Sequence, residues 1–456
     1  MIIVSQSAPA LKGWISQTGL GELACSMVLR VALAFLAHRG RMSCSAAAGS
    51  VAAEAIHRGQ LTRFLARPRW QQHNFNDPLR RRLLARERRR GGRFVFLLDA
   101  TLVTQAGRKT QNTFSTNNRN RGRRTKFTRY GKKKIVYKKC HSFTFGLLIT
   151  PSGMRVPMQL PHLTPDYCQA RQQQHLTTAE AAARMIRELP LPAGADVVVI
   201  GDTAYDAQVV RDACQERGYL WIVPANPERV YEGPRGRRPK LRSRLEAWKR
   251  LSVRTIRLRA STGKYASYRR LSKWRVGPKT KPRVYYAAQE TSAVRSVGRV
   301  QLVFSTMKPD LKTATPDDVK ILMTNATNLP VAEVLELYAL RWQIELFFKE
   351  LKSTLGFSQY CFQDFRAVRA WVEIAITTVL FLEHERIRRA QDRQLSREAR
   401  RWWTAQRLHG LCHAFRQQCA GQELQYLADR LKTSGGIAKL KRLLAAAIPP
   451  EYRTIS

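Results

Sequence analysis

Two aspartates in this chain close short apolar runs. Asp99 ends the run in FVFLLDA (94–100), and Asp202 ends ADVVVIGD (195–202). Runs of that length and composition fit strands buried on both faces. A carboxylate at the end of such a strand emerges at the sheet edge, where α/β folds gather ligands. Its oxygens are the donors that hard divalent cations prefer. Each aspartate also has a plain structural reading, because Asp commonly caps the turn or helix that follows it. Asp206 fits that description best, as the N-cap of a helix over 206–217.

A third acidic position lies in VAEVLELYALRWQIELFFKELKSTLGF (331–357). With Glu345 as origin and about 100° per residue, Tyr338 falls about 20° away, and Arg341, Lys349 and Lys352 within about 40°. These residues form one stripe roughly 21 Å long. Leu337, Leu340, Ile344, Phe348, Leu351 and Leu355 form a second stripe about 100° round the helix, the expected core seam. The first stripe also fits an exposed face with i,i+4 ion pairs, Arg341 and Glu345 making one of them. Glu350 and Glu336 are the next acidic residues on the segment, Glu350 about 140° round the helix from Glu345.

The elements that would position these residues follow from pattern. Residues 1–90 read as helical, with helices over 21–38, 44–58 and about 60–67, either a helix-turn-helix unit or a plain packing domain. LRRRLLARERRRGGR (79–93) reads as a basic linker, and 119–139 as a basic loop or hairpin with interleaved aromatics. Strands are expected at 94–100, 141–150, 154–160, 195–202 and 219–226, with helices over 176–189 and 206–217. Three consecutive strands followed by alternating helix and strand predict a mixed α/β sheet. Residues 227–328 break the alternation and read as a β-rich insertion with a further basic run at 235–259. Helix returns at about 331–356 and dominates to the end.

The formal net charge of the 456-residue chain is +47. A field that positive attracts polyanions over long range and predicts a nucleic-acid partner, with the three basic runs tracking backbone phosphates. Tyr130, Tyr137, Trp248 and Trp274 lie within or near those runs and could stack on unpaired bases, or simply pack. The eight cysteines are scattered without a CxxC pair, so reduced thiols and a cytoplasmic, nucleoid-associated location are expected. The most apolar stretch, AWVEIAITTVLFL (370–382), is too short for a bilayer and contains Glu373, so no membrane partner is expected.

Tyr338, two residues, Arg341, three residues, Glu345, six residues and Lys352 together resemble the Y-R-E-K signature of bacterial insertion-sequence transposases of the DDE class. LLDAT around Asp99 and VIGDTAYD around Asp202 look like the two aspartate segments of that family, so the resemblance spans about 93–360. It implies an RNase H-like mixed-sheet core with a β-rich insertion, flanked by N- and C-terminal helical regions. The implied organisation is a helical DNA-end-binding region at 1–92, the first part of the core at 93–226 and the insertion at 227–328. The Glu-bearing helix at 329–362 and a C-terminal helical region at 363–456, a candidate for dimerisation, complete it.

The resemblance further implies a DNA transposase that cleaves transposon ends and joins them to target DNA. Two Mg²⁺ or Mn²⁺ ions would be held by Asp99, Asp202 and Glu345, with Asp99 bridging them. Tyr338, Arg341 and Lys352 would grip DNA phosphates, and a homodimer would pair two double-stranded ends. A silent transposase-derived DNA-binding protein and a structure-selective nuclease on the same fold are the alternatives. Well-known members of the family form a hairpin and stack a flipped base on a Trp in the strand before the Glu-bearing helix. Here that strand is DDVKILMTNA (317–326), with Lys320 or Ile321 near the place and no aromatic; Trp274 and Phe304 are the substitutes considered.

Overall fold

The structure, a computed structural model, describes residues 9–37, 42–49, 56–67, 76–88, 91–105, 107, 109–117, 137–192, 194–232, 237–248, 251–259, 263–269, 282–432, 435 and 438. They fall into two compact units. One comprises Met1–Leu79, Glu350–Arg386 and Gln406–Ser456; the other comprises Arg80–Lys349 and Ile387–Ala405.

The first unit is helical. It contains α1 (Pro9–Ile15), α2 (Glu22–Ala37), α3 (Cys44–Gly49) and α4 (Arg58–Leu65), with later segments of the chain. The expected helix over 44–58 is described only to Gly49, since 50–55 lie outside the described residues. The apolar stretch at 370–382 is core: Trp371 is fully buried, packs edge-on against Phe35 at 4.9 Å, and donates its indole N–H to Phe357 O at 3.2 Å. The side chain of Glu373 takes an N–H from Asn76 at 2.5 Å, which satisfies a polar group on an otherwise apolar segment. Among the described residues no helix is long and apolar enough to cross a membrane.

The basic segment expected as a linker is instead mostly helix, α5 (Asn76–Arg88). Leu79, Leu83 and Leu84 recur at helical spacing and are buried, while Arg80 is buried with its Nε donating to Pro157 O at 3.1 Å. Arginine density hid an amphipathic pattern.

The second unit is built on a ten-stranded sheet. Its strands are β1 (Phe94–Gln105), β2 (Phe114–Asn117), β3 (Tyr137–Ile149), β4 (Arg155–His162), β5 (Val197–Ile200), β6 (Leu220–Pro224), β7 (Arg254–Leu258), β8 (Arg283–Val294), β9 (Gly298–Thr306) and β10 (Lys320–Thr324). The order is β2-β3-β1-β5-β6-β10-β9-β8-β7, with β4 also paired to β3. β1, β5 and β6 are parallel, and the other pairings are antiparallel. Helices α6 (Pro165–Ala170), α7 (Thr178–Arg187) and α8 (Gln208–Glu216) connect the strands. A capping box between Thr177 and Glu180 starts α7, which buries Ala182, Met185 and Ile186. This is the mixed sheet of an RNase H-like core.

The β-rich segment adds a short helix, α9 (Leu241–Ala247), and the antiparallel strands β7 to β9. These strands continue the central sheet, because β9 pairs with β10 and β10 with β6. Trp248 is buried and therefore a packing residue. Tyr130, residues 119–136 of the expected basic loop or hairpin, and Trp274 lie outside the described residues, as does the side chain of Tyr137.

One helix was expected over 331–356, and two form: α10 (Val331–Ala339) and α11 (Trp342–Ser353). Between them the backbone tightens, with Arg341 N donating to Tyr338 O at 3.0 Å and Gln343 N to Leu340 O at 2.8 Å, both three-residue steps. The core seam survives the break, for Leu337, Leu340, Ile344, Leu351 and Leu355 are all at most 1% exposed. Three further helices, α12 (Phe365–Gln391), α13 (Arg397–Ala405) and α14 (Leu408–Leu431), follow.

Candidate active site

Register brings the two aspartates side by side. Leu97 of β1 pairs with Ile200 of the parallel strand β5, and Asp99 and Asp202 each stand two residues further on. Adjacent strands lie about 4.8 Å apart, so the two carboxyl groups leave neighbouring strands at the same level. β5 stops at Ile200, two residues short of the expected 202, so Asp202 stands just past its end, and β1 does not stop at Asp99. It runs on to Gln105, pairing with β3 (Asp99 opposite Phe145), while its burial changes from two-faced to alternating after Leu98. Asp99 therefore marks the point where β1 loses its β5 neighbour.

The two carboxyl groups are anchored differently. Asp99 Oδ1 accepts from Ala100 N at 2.8 Å. Asp202 is the N-cap of the turn Thr203–Tyr205, and its Oδ1 accepts from Ala204 N at 2.9 Å. The capping role weighed for Asp202 is thus real, and it engages only one of the two oxygens. Gly201 permits this turn, because a Cβ there would lie 2.7 Å from Tyr205 Cβ. Tyr205 folds beneath the site, and its buried hydroxyl finds no hydrogen-bond partner among the described residues. Burial, with Asp99 and Asp202 close by, pushes that phenol far up, so it stays protonated.

Glu345 is linked to Asp99 through Arg341. The guanidinium donates to Glu345 Oε1 at 2.6 Å from Nη2 and lies 3.7 Å from Asp99 Oδ2 through Nη1. The i,i+4 pair anticipated as an ordinary surface contact therefore has a second carboxylate beside it. Burial works against Arg341's charge, but Tyr338, Glu345 and Asp99 outweigh it and hold its pKa up. Asp99 is pushed up to about 6, first by burial and then by the negative charges of Asp202 and Glu345, against the lowering effects of Ala100 N–H and Arg341.

Five of the six residues singled out in the sequence are gathered here: Asp99, Asp202, Glu345, Arg341 and Tyr338. Lys352 sits in the last turn of α11, roughly 10 Å along the helix from Glu345. The competing glutamates are engaged elsewhere. Glu336 accepts from Tyr265 N at 3.1 Å, and Glu350 is buried against Arg407 and Leu408 N. Asp206 is not the expected N-cap of α8, a place taken by Ala207. Its nearly buried carboxylate bridges Arg211 and Arg229, each at 2.6 Å, because a second arginine arrives from 23 residues away.

The donor chemistry suits a hard divalent cation: three carboxylates lie at one sheet edge, two of them beside Arg341, and Asp99 is raised by burial and then by its acidic neighbours. Among the described residues, however, no three such side chains are drawn close enough to form a ligand cage. The carboxylates feel one another's charge without converging, and Arg341 holds two of them.

The pattern missed Trp342. It opens α11 directly after Arg341, three residues before Glu345, and is 55% exposed, whereas a tryptophan is ordinarily well buried. The adjacent Arg-Trp pair was the available signal. Phe304, one of the considered stacking residues, is fully buried and is excluded from that role.

Residues 90–381 match the family of the Transposase DDE domain. The chain belongs to this family. A search of curated proteins found no match. The match covers β1, β5, the insertion and the helix pair that bears Tyr338 and Glu345, so DNA transposition chemistry is the activity of the family to which this sheet belongs. DDE transposases generally use divalent metals.

Proposed function

We propose that this protein cuts DNA at transposon ends and transfers the freed 3′-hydroxyl to target DNA, with Asp99, Asp202 and Glu345 as the metal-holding catalytic residues. One observation carries the reading: the matched register of Asp99 and Asp202 on β1 and β5, with Glu345 tied to Asp99 through Arg341. Mg²⁺ or Mn²⁺ held there would supply an activated oxygen nucleophile and stabilise the leaving oxygen. Arg341 and Tyr338 orient the strand by its phosphates, and Lys352 extends that grip along α11. Water first and a 3′-hydroxyl second can use the same residues, since both attack phosphorus through oxygen.

The N-terminal helices would bind the DNA end, and the C-terminal helical region would pair two copies on two ends. For second-strand cleavage through a hairpin, Trp342 is the exposed aromatic beside the site that could hold an unstacked base.

The test uses the inverted repeats that flank this reading frame in its native DNA. Full-length protein with Mg²⁺ or Mn²⁺ should cleave a labelled repeat end and join it to a plasmid, and hairpins should run at doubled length on a denaturing gel. Light scattering of the end-bound complex should give two protein copies. A protein that binds ends but cuts nothing is the silent relative; one that cuts branched DNA without joining is the nuclease.

A further inference from the structure

The carboxylate edge of the sheet has another occupant. β10 runs antiparallel to β6, with Leu322 opposite Pro224, the last residue of β6. Lys320, two residues before Leu322, therefore projects past the end of β6. Since β6 is parallel to β5 and β1, this is the edge from which Asp99 and Asp202 emerge. Pattern alone does not give this, because a lysine at the start of a short strand reads as solvent-facing; only the family resemblance put Lys320 or Ile321 near the place of a base-stacking residue.

Lys320 is exposed, yet its ammonium is held in place. Nζ donates to Tyr338 Oη at 2.9 Å and stands 4.4 Å from the centre of the Tyr338 ring. No carboxylate pairs with it among the described residues; the nearby Asp318 is taken by Lys308 at 2.6 Å. A phenol partner differs from a carboxylate in what it leaves behind, since the positive charge is fixed in position and not neutralised. The phenol oxygen accepts from Lys320, so its own O–H remains to donate, and the ammonium retains two further N–H groups. Together they present a cation and a hydroxyl donor directed by one rigid ring, a set suited to the non-bridging oxygens of a phosphodiester.

We infer that Lys320 is a phosphate-positioning residue, fixed by Tyr338, that holds the DNA backbone at the carboxylate edge. This rests on the reading of that edge as the site where DNA is cut. It assigns the backbone grip partly to the insertion side of the sheet and makes Tyr338 a holder of Lys320 as well as a phosphate donor.

The experiment measures binding of the full-length protein to a fluorescent duplex in EDTA across a salt series, and separately metal-dependent cleavage of a repeat end. Lys320→Ala should lower the slope of log affinity against log salt by about 0.9, one phosphate's worth of counterion release, and Lys320→Arg should restore it. At saturating DNA, Lys320→Ala should also cut more slowly, by roughly tenfold, as a misplaced strand would. A wild-type salt slope in Lys320→Ala overturns the inference and leaves the Lys320–Tyr338 pair as packing. If the slope falls but wild type and Asp99→Asn cleave alike, the phosphate grip stands and the catalytic reading of the edge falls.

Discussion

The two ends of the β1–β5 strand pair carry opposite electrostatic designs. At the end where the strands begin, Arg93 and Asp196 immediately precede register partners Phe94 and Val197 and pair at 2.8 Å. Glu333 of α10 adds a second carboxylate, which accepts from Arg93 at 2.8 Å, Lys264 at 2.9 Å and Tyr265 Oη at 2.6 Å. Two cations meet two anions there, and a phenol completes the set. At the other end Asp99 and Glu345 share Arg341, and among the described residues no cation pairs with Asp202. The same strands thus hold a closed network at one edge and an open, negatively biased one at the other. A closed network fastens α10 and the 263–269 loop to the sheet, whereas an open one keeps binding capacity for a cation at a cost in folding free energy.

The largest effect should come from the open end. Asp99→Asn, Asp202→Asn and Glu345→Gln should each lower metal-dependent cleavage by at least about a thousandfold, about 4 kcal/mol of barrier. DNA binding should survive. Asp99→Asn should also raise the thermal midpoint of the metal-free protein, since one charge leaves an over-charged cluster. A cleavage rate near wild type in any of the three would remove that residue from the site.

At the closed end the expected loss is of stability and not of chemistry. Glu333→Ala takes the shared acceptor from Arg93, Lys264 and Tyr265; Arg93 keeps Asp196 and Lys264 is solvated, so the cost should be about 1–2 kcal/mol. Chemical denaturation reads it directly, and an unchanged midpoint would mean that the network holds nothing.

The two ends should also respond to pH with opposite signs. Asp99, at about 6 in the fold, lies above the ordinary aspartate value. The folded form keeps a proton that the unfolded chain has released. Its contribution to stability is therefore full below the ordinary range of about 4 and is lost as pH rises through about 6. Burial alone would raise Glu333, but the donors Tyr265 and Lys264, with Arg93 beside them, carry it below the ordinary glutamate value. Its contribution is present above about 4.3 and lost as pH falls through its lower folded value. Denaturation of wild type, Asp99→Asn and Glu333→Gln from about pH 2.5 to 7 should show the Glu333 difference growing as pH rises towards about 4.3 and the Asp99 difference shrinking as pH rises through about 6. Mg²⁺ or Mn²⁺ should stabilise wild type more at the upper end of that range and leave Asp99→Asn nearly unaffected.

The smallest effect is expected at Tyr205. Its hydroxyl is buried without a partner among the described residues, so Tyr205→Phe should change stability by no more than about 1 kcal/mol, towards greater stability. A clear loss would show that the hydroxyl has a partner such as water.

Local pattern made much of this protein legible. Apolar runs located β1 and β5, and helical spacing located the seam from Leu337 to Leu355, because burial imprints its period on neighbouring residues. The same spacing proposed Tyr338, Arg341 and Glu345 as one stripe. It did not disclose the break at 340–341, where neither Gly nor Pro interrupts the helical pattern. What only tertiary structure decided was the company each charge keeps. Register set Asp99 beside Asp202, a crossing arginine turned Asp206 into a structural ion pair, and strand reversal brought Lys320 to the carboxylate edge. Contacts between residues far apart in the chain leave no periodic trace along it, so the sequence set Asp206 aside from Asp202 as a cap, and only the folded sheet showed that two arginines hold it.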